Sequence, residues 1–271
     1  MAKNPKNVWS FENDLKDKLR PKALQDVSEM LKIKSKRLKK KAKVIHPWEA
    51  GFYENLLKLE NYDLDGEEVK KYFELNNVTQ GLFTIYQTLF SVRFKRVENA
   101  SVWHEDVQMF SVYDKKTDEL IGDFYLDMFP RANKYSHAAA FGFRGGKLTK
   151  DGYRRPATAL VCNFPKPTEY QPSLLTHDNV ETYFHEFGHL VHGVLTTSLL
   201  VSYAGTSVAR DFVEAPSQML ENWVWQKESL GLFAKHYKTG DVIPGQLAVS
   251  YTHLRAHETS LHLVCRLLLE K

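Results

Sequence analysis

The chain has 271 residues, of which 43% are hydrophobic and 13% aromatic, a composition typical of a folded globular protein and not of a disordered one. Its net charge of +4 hides an asymmetry, because residues 3–43 contain 14 lysines and arginines against 5 acidic residues. Two cysteines, Cys162 and Cys265, are few for a disulfide-stabilised secreted protein, so we expect a reducing compartment, the cytoplasm. No apolar run approaches the roughly 20 residues of a membrane-spanning helix, and residues 1–19 do not form a signal peptide, so no membrane partner is expected.

The first part of the chain, residues 1–92, has the hydrophobic spacing of helices. In residues 8–38, leucines and valines recur about three, four and seven positions apart, and Pro21 predicts a break or a helix start. Further helices are predicted at 47–60, 65–75 and 76–90. We interpret the basic residues 32–43 as a solvated helix face. Nucleic-acid binding is the alternative, and it is disfavoured because no stacking aromatic residues alternate with these lysines.

The pattern changes to that of a β-sheet after Arg93. Four segments rich in β-branched and aromatic residues are predicted strands: 107–114, 120–128, 137–143 and 157–164. The first two flank a turn-like segment and predict a β-hairpin. We therefore predict a mainly α-helical protein with a small β-sheet, in which residues 93–249 form a second region that contains this sheet.

Residues 185–189 read His-Glu-Phe-Gly-His, an H-E-x-x-H pattern. Positions four apart lie on one face of a helix, so His185 and His189 can bind one metal ion, and zinc accepts imidazole nitrogen at about 2.0–2.1 Å. Glu186 then lies beside the metal as a general base for water. Because the pattern is short, a helix with two surface histidines would also produce it. The apolar flanking residues favour a buried helix, in which such a pair needs partners.

A catalytic zinc site has three protein ligands and one open position. Glu214 is a candidate third ligand, because it can share one face of a second helix with Ser217, Gln218 and Glu221. Spacing alone leaves three rival third ligands open: Asp178, Asp211 and Glu221.

Other polar residues near these positions have two interpretations. Glu181, Ser217 and Gln218 could orient the ligands, or they could be exposed residues and helix caps. Asp178, three residues before Glu181, predicts the start of the helix. His192 is interpreted as a packed neighbour, because a fourth ligand would fill the position that water needs.

Two long motifs, residues 177–189 and 211–225, resemble the thimet oligopeptidase family of zinc metallopeptidases, which includes neurolysin and bacterial oligopeptidase A. Weaker resemblance covers residues 8–249. The resemblance implies a zincin-like (gluzincin) core, one zinc ion per chain, and Glu214 as the third ligand beside His185 and His189. It also implies a metalloendopeptidase that hydrolyses short peptides; a peptidyl-dipeptidase of the same family is the alternative.

The resemblance also bears on the substrate and on the end of the chain. In the resembled enzymes a strand such as 157–164 can pair with the substrate backbone, but the sequence alone favours a plain core strand. Family members supply oxyanion donors from tyrosines and a glycine-rich loop beyond the second zinc helix, and this sequence shows no such segment. We therefore expect a truncated chain with a non-native or frame-shifted tail at 250–271, where His253 and His257 only imitate a metal pair. A zinc-binding but catalytically incomplete fragment is thus a further alternative.

Overall fold

The computed structural model of the chain describes residues 3–62 and 65–248. The chain divides into two units: Met1–Glu68 with Pro244–Lys271, and Val69–Ile243. Within the described ranges, no helix combines the length and the apolar character that crossing a membrane requires. The proposed tail at 250–271, with His253 and His257, lies outside the described residues.

The first unit is built on two helices, α1 (Pro5–Leu38) and α2 (Pro47–Tyr62). The side chain of Asn4 caps α1 by accepting a hydrogen bond from the backbone N–H of Asn7 at 3.0 Å. The two helices bury a small apolar cluster whose core residues are Met30, Ile33, Ile45, Tyr53 and Leu57. Most of the basic residues at 32–43 are exposed, as a solvated face requires.

The break predicted at Pro21 is wrong, because α1 continues through this residue. Proline has no N–H to donate to the preceding turn, so one backbone hydrogen bond is lost there. The buried side chains of Met30 and Ile33 lie beyond Pro21 on the same helix and pack it against α2.

The short helix α3 (Gly66–Val69) covers the point in the sequence where the first unit ends and the second begins. The helices of the second unit are α4 (Leu75–Phe90), α5 (His177–Val194), α6 (Glu214–Glu221) and α7 (Lys227–Phe233). Its strands are β1 (Val92–Arg96), β2 (Gln108–Asp114), β3 (Leu120–Asp127), β4 (Ala139–Arg144), β5 (Lys147–Thr149), β6 (Gly152–Arg154) and β7 (Ala157–Val161). The prediction of a mainly helical protein with a small sheet is confirmed.

Five strands form one mixed sheet in the order β1-β2-β3-β7-β4, and β5 and β6 form a separate hairpin. β3 and β7 are parallel, and the other neighbouring pairs are antiparallel. The predicted hairpin is confirmed as β2 and β3. β7 pairs with β3 on one side and with β4 on the other, so the interpretation of this strand as a core strand is confirmed and the alternative, pairing with a substrate, is excluded. Both sides of its backbone are already occupied, and β4 lies at the edge instead.

Aromatic rings from three elements fix α4 and α5 against the sheet. Phe83 of α4, Phe124 of β3 and Phe187 of α5 are all buried. The Phe124 and Phe187 ring centroids lie 5.5 Å apart, and those of Phe83 and Phe187 lie 5.8 Å apart. The buried Tyr86 hydroxyl also donates a hydrogen bond to the carbonyl oxygen of Phe184 at 2.6 Å. These contacts set the position of the helix that carries the H-E-x-x-H pattern.

A buried ionic cluster closes the end of β3. The carboxylate of Asp127 accepts hydrogen bonds from Arg131 at 2.7 and 2.8 Å and from the Trp103 indole at 2.9 Å. Lys134 Nζ lies 2.9 Å from the same carboxylate and donates to the carbonyl oxygen of Cys162 at 2.6 Å. Burial alone would raise the pKa of Asp127, but these hydrogen bonds outweigh it and lower the pKa to about 2. The cluster therefore ties the ends of β3 and β7 together.

Candidate metal centre

Helix α5 begins with a reciprocal cap. The Thr176 hydroxyl accepts from the backbone N–H of Asn179, and the Asn179 side chain accepts from the backbone N–H of Thr176, both at 3.2 Å. The prediction that the helix starts close to Asp178 is confirmed, but the capping residue is Thr176 and not Asp178. Asp178 lies in the first helical turn, where its negative charge is favourable near the positive end of the helix dipole.

Three potential ligand atoms converge where α5 meets α6. The Nε2 atoms of His185 and His189 lie 3.1 Å apart, and Glu214 Oε2 lies 3.2 Å and 2.9 Å from them, respectively. Tetrahedral zinc with ligands at about 2.0–2.1 Å separates its ligand atoms by about 3.3–3.4 Å, close to these values. Among the described residues, these three form the group of side chains that could hold a metal ion. The rival ligands Asp178 and Asp211 are not part of it.

The hydrogen bonds of His185 determine which of its nitrogens faces the convergence point. Glu221 Oε1 lies 2.6 Å from His185 Nδ1, and a carboxylate can only accept, so Nδ1 is the donor. The other ring nitrogen, Nε2, faces Glu214 Oε2 at 3.2 Å. A positive charge between these two atoms, either a metal ion or a proton on Nε2, makes their close approach favourable. The hydrogen bond with Glu221 raises the pKa of His185, although burial opposes it.

Glu221 was one of the rival third ligands, but in the structure it lies beside His185 Nδ1 and outside the group of converging ligand atoms. It contacts the nitrogen of His185 that points away from the convergence point, as groups that orient metal-bound histidines do. The sequence signal was available, because Glu221 lies seven residues, about two helical turns, after Glu214.

Gly188 allows α6 to lie directly against α5. A Cβ atom at this position would lie 2.8 Å from the Cα of Ser217, well inside normal contact distance. Ser217 in turn donates to the backbone carbonyl of Glu214 at 2.9 Å and lies 3.3 Å from its carboxylate. The close approach of the two helices therefore carries Glu214 to the histidines.

Glu186 follows His185 on α5 and is half-buried. Burial raises the pKa of the Cys162 thiol, and the negative charge of Glu186 raises it further. Cys162 therefore remains a neutral thiol.

Two residues at the start of α5 hold the turn that follows α6. Glu181 accepts a hydrogen bond from the Trp225 indole at 2.9 Å. His177 is buried, and its Nε2 lies 3.1 Å from the carbonyl oxygen of Val224. These contacts brace the helix pair, and the bond from Trp225 ties Glu181 to the residue that follows the second helix.

Two other residues predicted near the site lie away from its centre. Gln218 is exposed on α6. His192 is half-buried one turn after His189 and is outside the three-residue group. Burial lowers the pKa of His192.

Comparison with known proteins gives the same family throughout. The sequence profile of peptidase family M3 matches residues 1–270. The chain is 41% identical over 259 residues to saccharolysin from Saccharomyces cerevisiae, covering 91% of this chain and 36% of the yeast protein. It is 40% identical over 248 residues to a thimet-like oligopeptidase from Dictyostelium discoideum, covering 88% and 37%. It is 34% identical over 273 residues to oligopeptidase A from Escherichia coli, covering 98% and 39%. The chain thus spans little more than a third of the length of these relatives, and it belongs to peptidase family M3.

Proposed function

We propose that this chain is the zincin-like catalytic core of a zinc-dependent metalloendopeptidase that hydrolyses short peptides. The observation that carries the proposal is the convergence of three ligand atoms, 2.9 to 3.2 Å apart, beside Glu186. Membership of peptidase family M3 supports it, and so do the names of two relatives, which are oligopeptidases.

In this proposal His185, His189 and Glu214 hold one zinc ion per chain. When bound, zinc would acidify a water molecule and polarise the carbonyl of the peptide bond. Glu221 holds the ring of His185 in the orientation that binds. Glu186 takes the proton of the attacking water and passes it to the departing amine. The Glu214 side chain is 51% exposed, which leaves an approach for the peptide.

The proposal extends to substrate and location. The substrate class is short peptides, and the compartment is the cytoplasm, in keeping with the small number of cysteines. Removal of C-terminal dipeptides is the nearest alternative within the same chemistry. Zinc binding without turnover is a second candidate, because the matched part is only 36% to 39% of the relatives' length.

Metal content tests the ligand assignment. We expect one zinc per chain after reconstitution and dialysis, measured by atomic emission. His185→Ala and Glu214→Ala should each lower zinc affinity by at least about 100-fold, because two ligands remain. Asp211→Ala is the matched control, since this carboxylate is exposed three residues before Glu214, and it should bind zinc normally. Unchanged affinity in Glu214→Ala would remove Glu214 from the ligand set.

Turnover separates the two candidates. If the chain is a peptidase, we expect the zinc-loaded protein to cleave a quenched fluorescent nonapeptide. We expect Glu186→Gln to abolish this cleavage at equal zinc content. Equal rates in the two proteins contradict the role of Glu186. Stoichiometric zinc without cleavage establishes the second candidate, and mass spectrometry of the products distinguishes internal cleavage from dipeptide removal.

A further inference from the structure

The basic segment of the first unit takes no part in the proposed function. Residues 36–48 contain six lysines and arginines and no acidic residue. All six cationic side chains are exposed: Lys36, Arg37, Lys39, Lys40, Lys41 and Lys43. An ion pair with Glu60 at 3.6 Å engages Lys36. The segment is therefore a concentrated positive surface, which attracts polyanions of any kind.

An aromatic platform lies at the end of this segment. The rings of His46 and Trp48 are stacked, with centroids 4.5 Å apart and an angle of 2° between their planes. Trp48 is 81% exposed, so the face of its indole that turns away from His46 is open to solvent. Phe52, one turn further along α2, is 48% exposed, and the guanidinium of Arg37 lies 5.2 Å from its ring centroid. The fold thus sets aromatic faces beside the cations, although residues 32–43 themselves contain none.

An internal ion pair holds the platform in place. Glu49 accepts a hydrogen bond from the backbone N–H of His46 at 2.9 Å and another from the ammonium of Lys34. The same ammonium donates to the carbonyl oxygen of Val44 at 2.8 Å. Because Lys34 is buried, it compensates the charge of Glu49 inside the unit. This carboxylate therefore orders the connection between α1 and α2 without cancelling the exposed positive charge.

We propose that residues 36–52 bind single-stranded nucleic acid, with the exposed cations along the phosphates and a base stacked on Trp48. A ring already covers one face of this indole, so a base on the open face extends an existing stack. Cationic surfaces with such platforms bind single strands with little sequence preference, because every base has a flat face. An anionic membrane shares the attraction to the lysines, but it is bound by apolar side chains inserted from a helix face and not by stacked rings.

Strands with and without bases test the stacking. Fluorescence anisotropy compares the binding of labelled oligothymidylate, oligouridylate and abasic dodecamers, which carry equal numbers of phosphates, to the full chain. We expect both base-bearing strands to bind about tenfold tighter than the abasic strand, and the tighter of the two shows whether DNA or RNA is preferred. Trp48→Ala should weaken the base-bearing strands about tenfold and the abasic strand by less than about twofold. Trp48→Phe should retain most of the difference. Trp9→Ala, at a 64% exposed position near the other end of α1, is the matched control and should change nothing.

The salt dependence tests the phosphate contacts. For single strands, each contact contributes about 0.7 to the slope of the logarithm of affinity against the logarithm of salt concentration. Lys39→Gln with Lys41→Gln should therefore lower this slope by about 1.4. Lys115→Gln with Lys116→Gln, at exposed positions of the second unit, should leave it unchanged.

Three outcomes overturn the proposal. The first is equal affinity for base-bearing and abasic strands, which leaves only an attraction between opposite charges. The second is an equal effect of Trp48→Ala and Trp9→Ala on the base-bearing strands. The third is sedimentation of the chain with phosphatidylglycerol vesicles while the strands do not bind, which would assign the segment to a membrane surface.

Discussion

The two ring nitrogens of His185 have separate partners. One lies 2.6 Å from Glu221, and the other lies 3.2 Å from Glu214. Spacing along the sequence placed both glutamates on one helix face but could not tell which nitrogen each would reach. That distinction depends on the distance between α5 and α6, which no one-dimensional pattern contains.

We predict that Glu221→Ala lowers zinc affinity by about 10- to 100-fold, because His185 loses the hydrogen bond that fixes its tautomer and orientation. Glu221→Gln should fall between this variant and the wild type, since its amide oxygen still accepts from Nδ1 but carries no charge. Competition with a chromophoric chelator measures both. Glu228→Ala, an exposed glutamate on α7, is the control. Wild-type affinity in Glu221→Ala would mean that α6 positions His185 without this contact.

At the scale of elements, the site depends on one close helix contact. Gly188 lies within the H-E-x-x-H motif, between Glu186 and His189, and faces Ser217 on α6. Any larger side chain must push α6 away, and Glu214 would move with it. Under the proposed function the motif therefore encodes two things: a pair of ligands, and the clearance that lets the third ligand approach.

We predict that Gly188→Ala destabilises the fold by about 1–3 kcal/mol through overpacking. It should also reduce zinc affinity at least about tenfold, because Glu214 is displaced. Gly231→Ala is the matched control: it is also helical, and a Cβ atom there meets nothing within 4 Å. It should leave zinc binding unchanged and be neutral or stabilising by roughly 0.5–1 kcal/mol. Urea unfolding and zinc titration check both variants, and identical behaviour of the two would contradict the close-contact argument.

The elements differ in how far the sequence predicts them. α4 and the β2–β3 hairpin were predicted because their apolar periodicity extends over many residues. β5 and β6 were missed because a strand of three residues contains no readable period. At the site, the approach of His185 and His189 could be predicted from the sequence, because positions four apart lie on one face of a helix. Spacing could not choose Glu214 over its rivals, because the choice depends on tertiary packing.

At the scale of the whole molecule, the buried cluster around Asp127 makes stability depend on acidity. The pKa of Asp127 is about 2 in the folded protein, below its ordinary value of 3.8. A depressed carboxyl pKa contributes stability that is fully present above the unfolded value and is lost as the pH falls toward the folded one. For this shift the contribution is roughly 2 kcal/mol.

We therefore predict that the free energy of unfolding falls as the pH is lowered from about 4 to about 2, with a shallower slope in Asp127→Asn. At neutral pH this variant should be destabilised by about 3–5 kcal/mol, because Arg131 and Lys134 lose their buried counter-charge. Urea titrations across this pH range measure both effects. Asp151→Asn, at an exposed position, should follow the wild-type curve. A slope in Asp127→Asn equal to that of the wild type would assign the acid sensitivity to other carboxyl groups.

The order of strands in the sheet differs from their order in the chain, since β4 precedes β7 in sequence but lies outside it. During synthesis β4 therefore leaves the ribosome before the strand it pairs with exists. Because β7 is its partner, β4 can join the sheet only together with β7 or after it. In the reverse direction, β4 can detach while the inner four strands stay paired. Its amide hydrogens should thus exchange with solvent before those of β7, through an opening that leaves the helices with the two histidines in place.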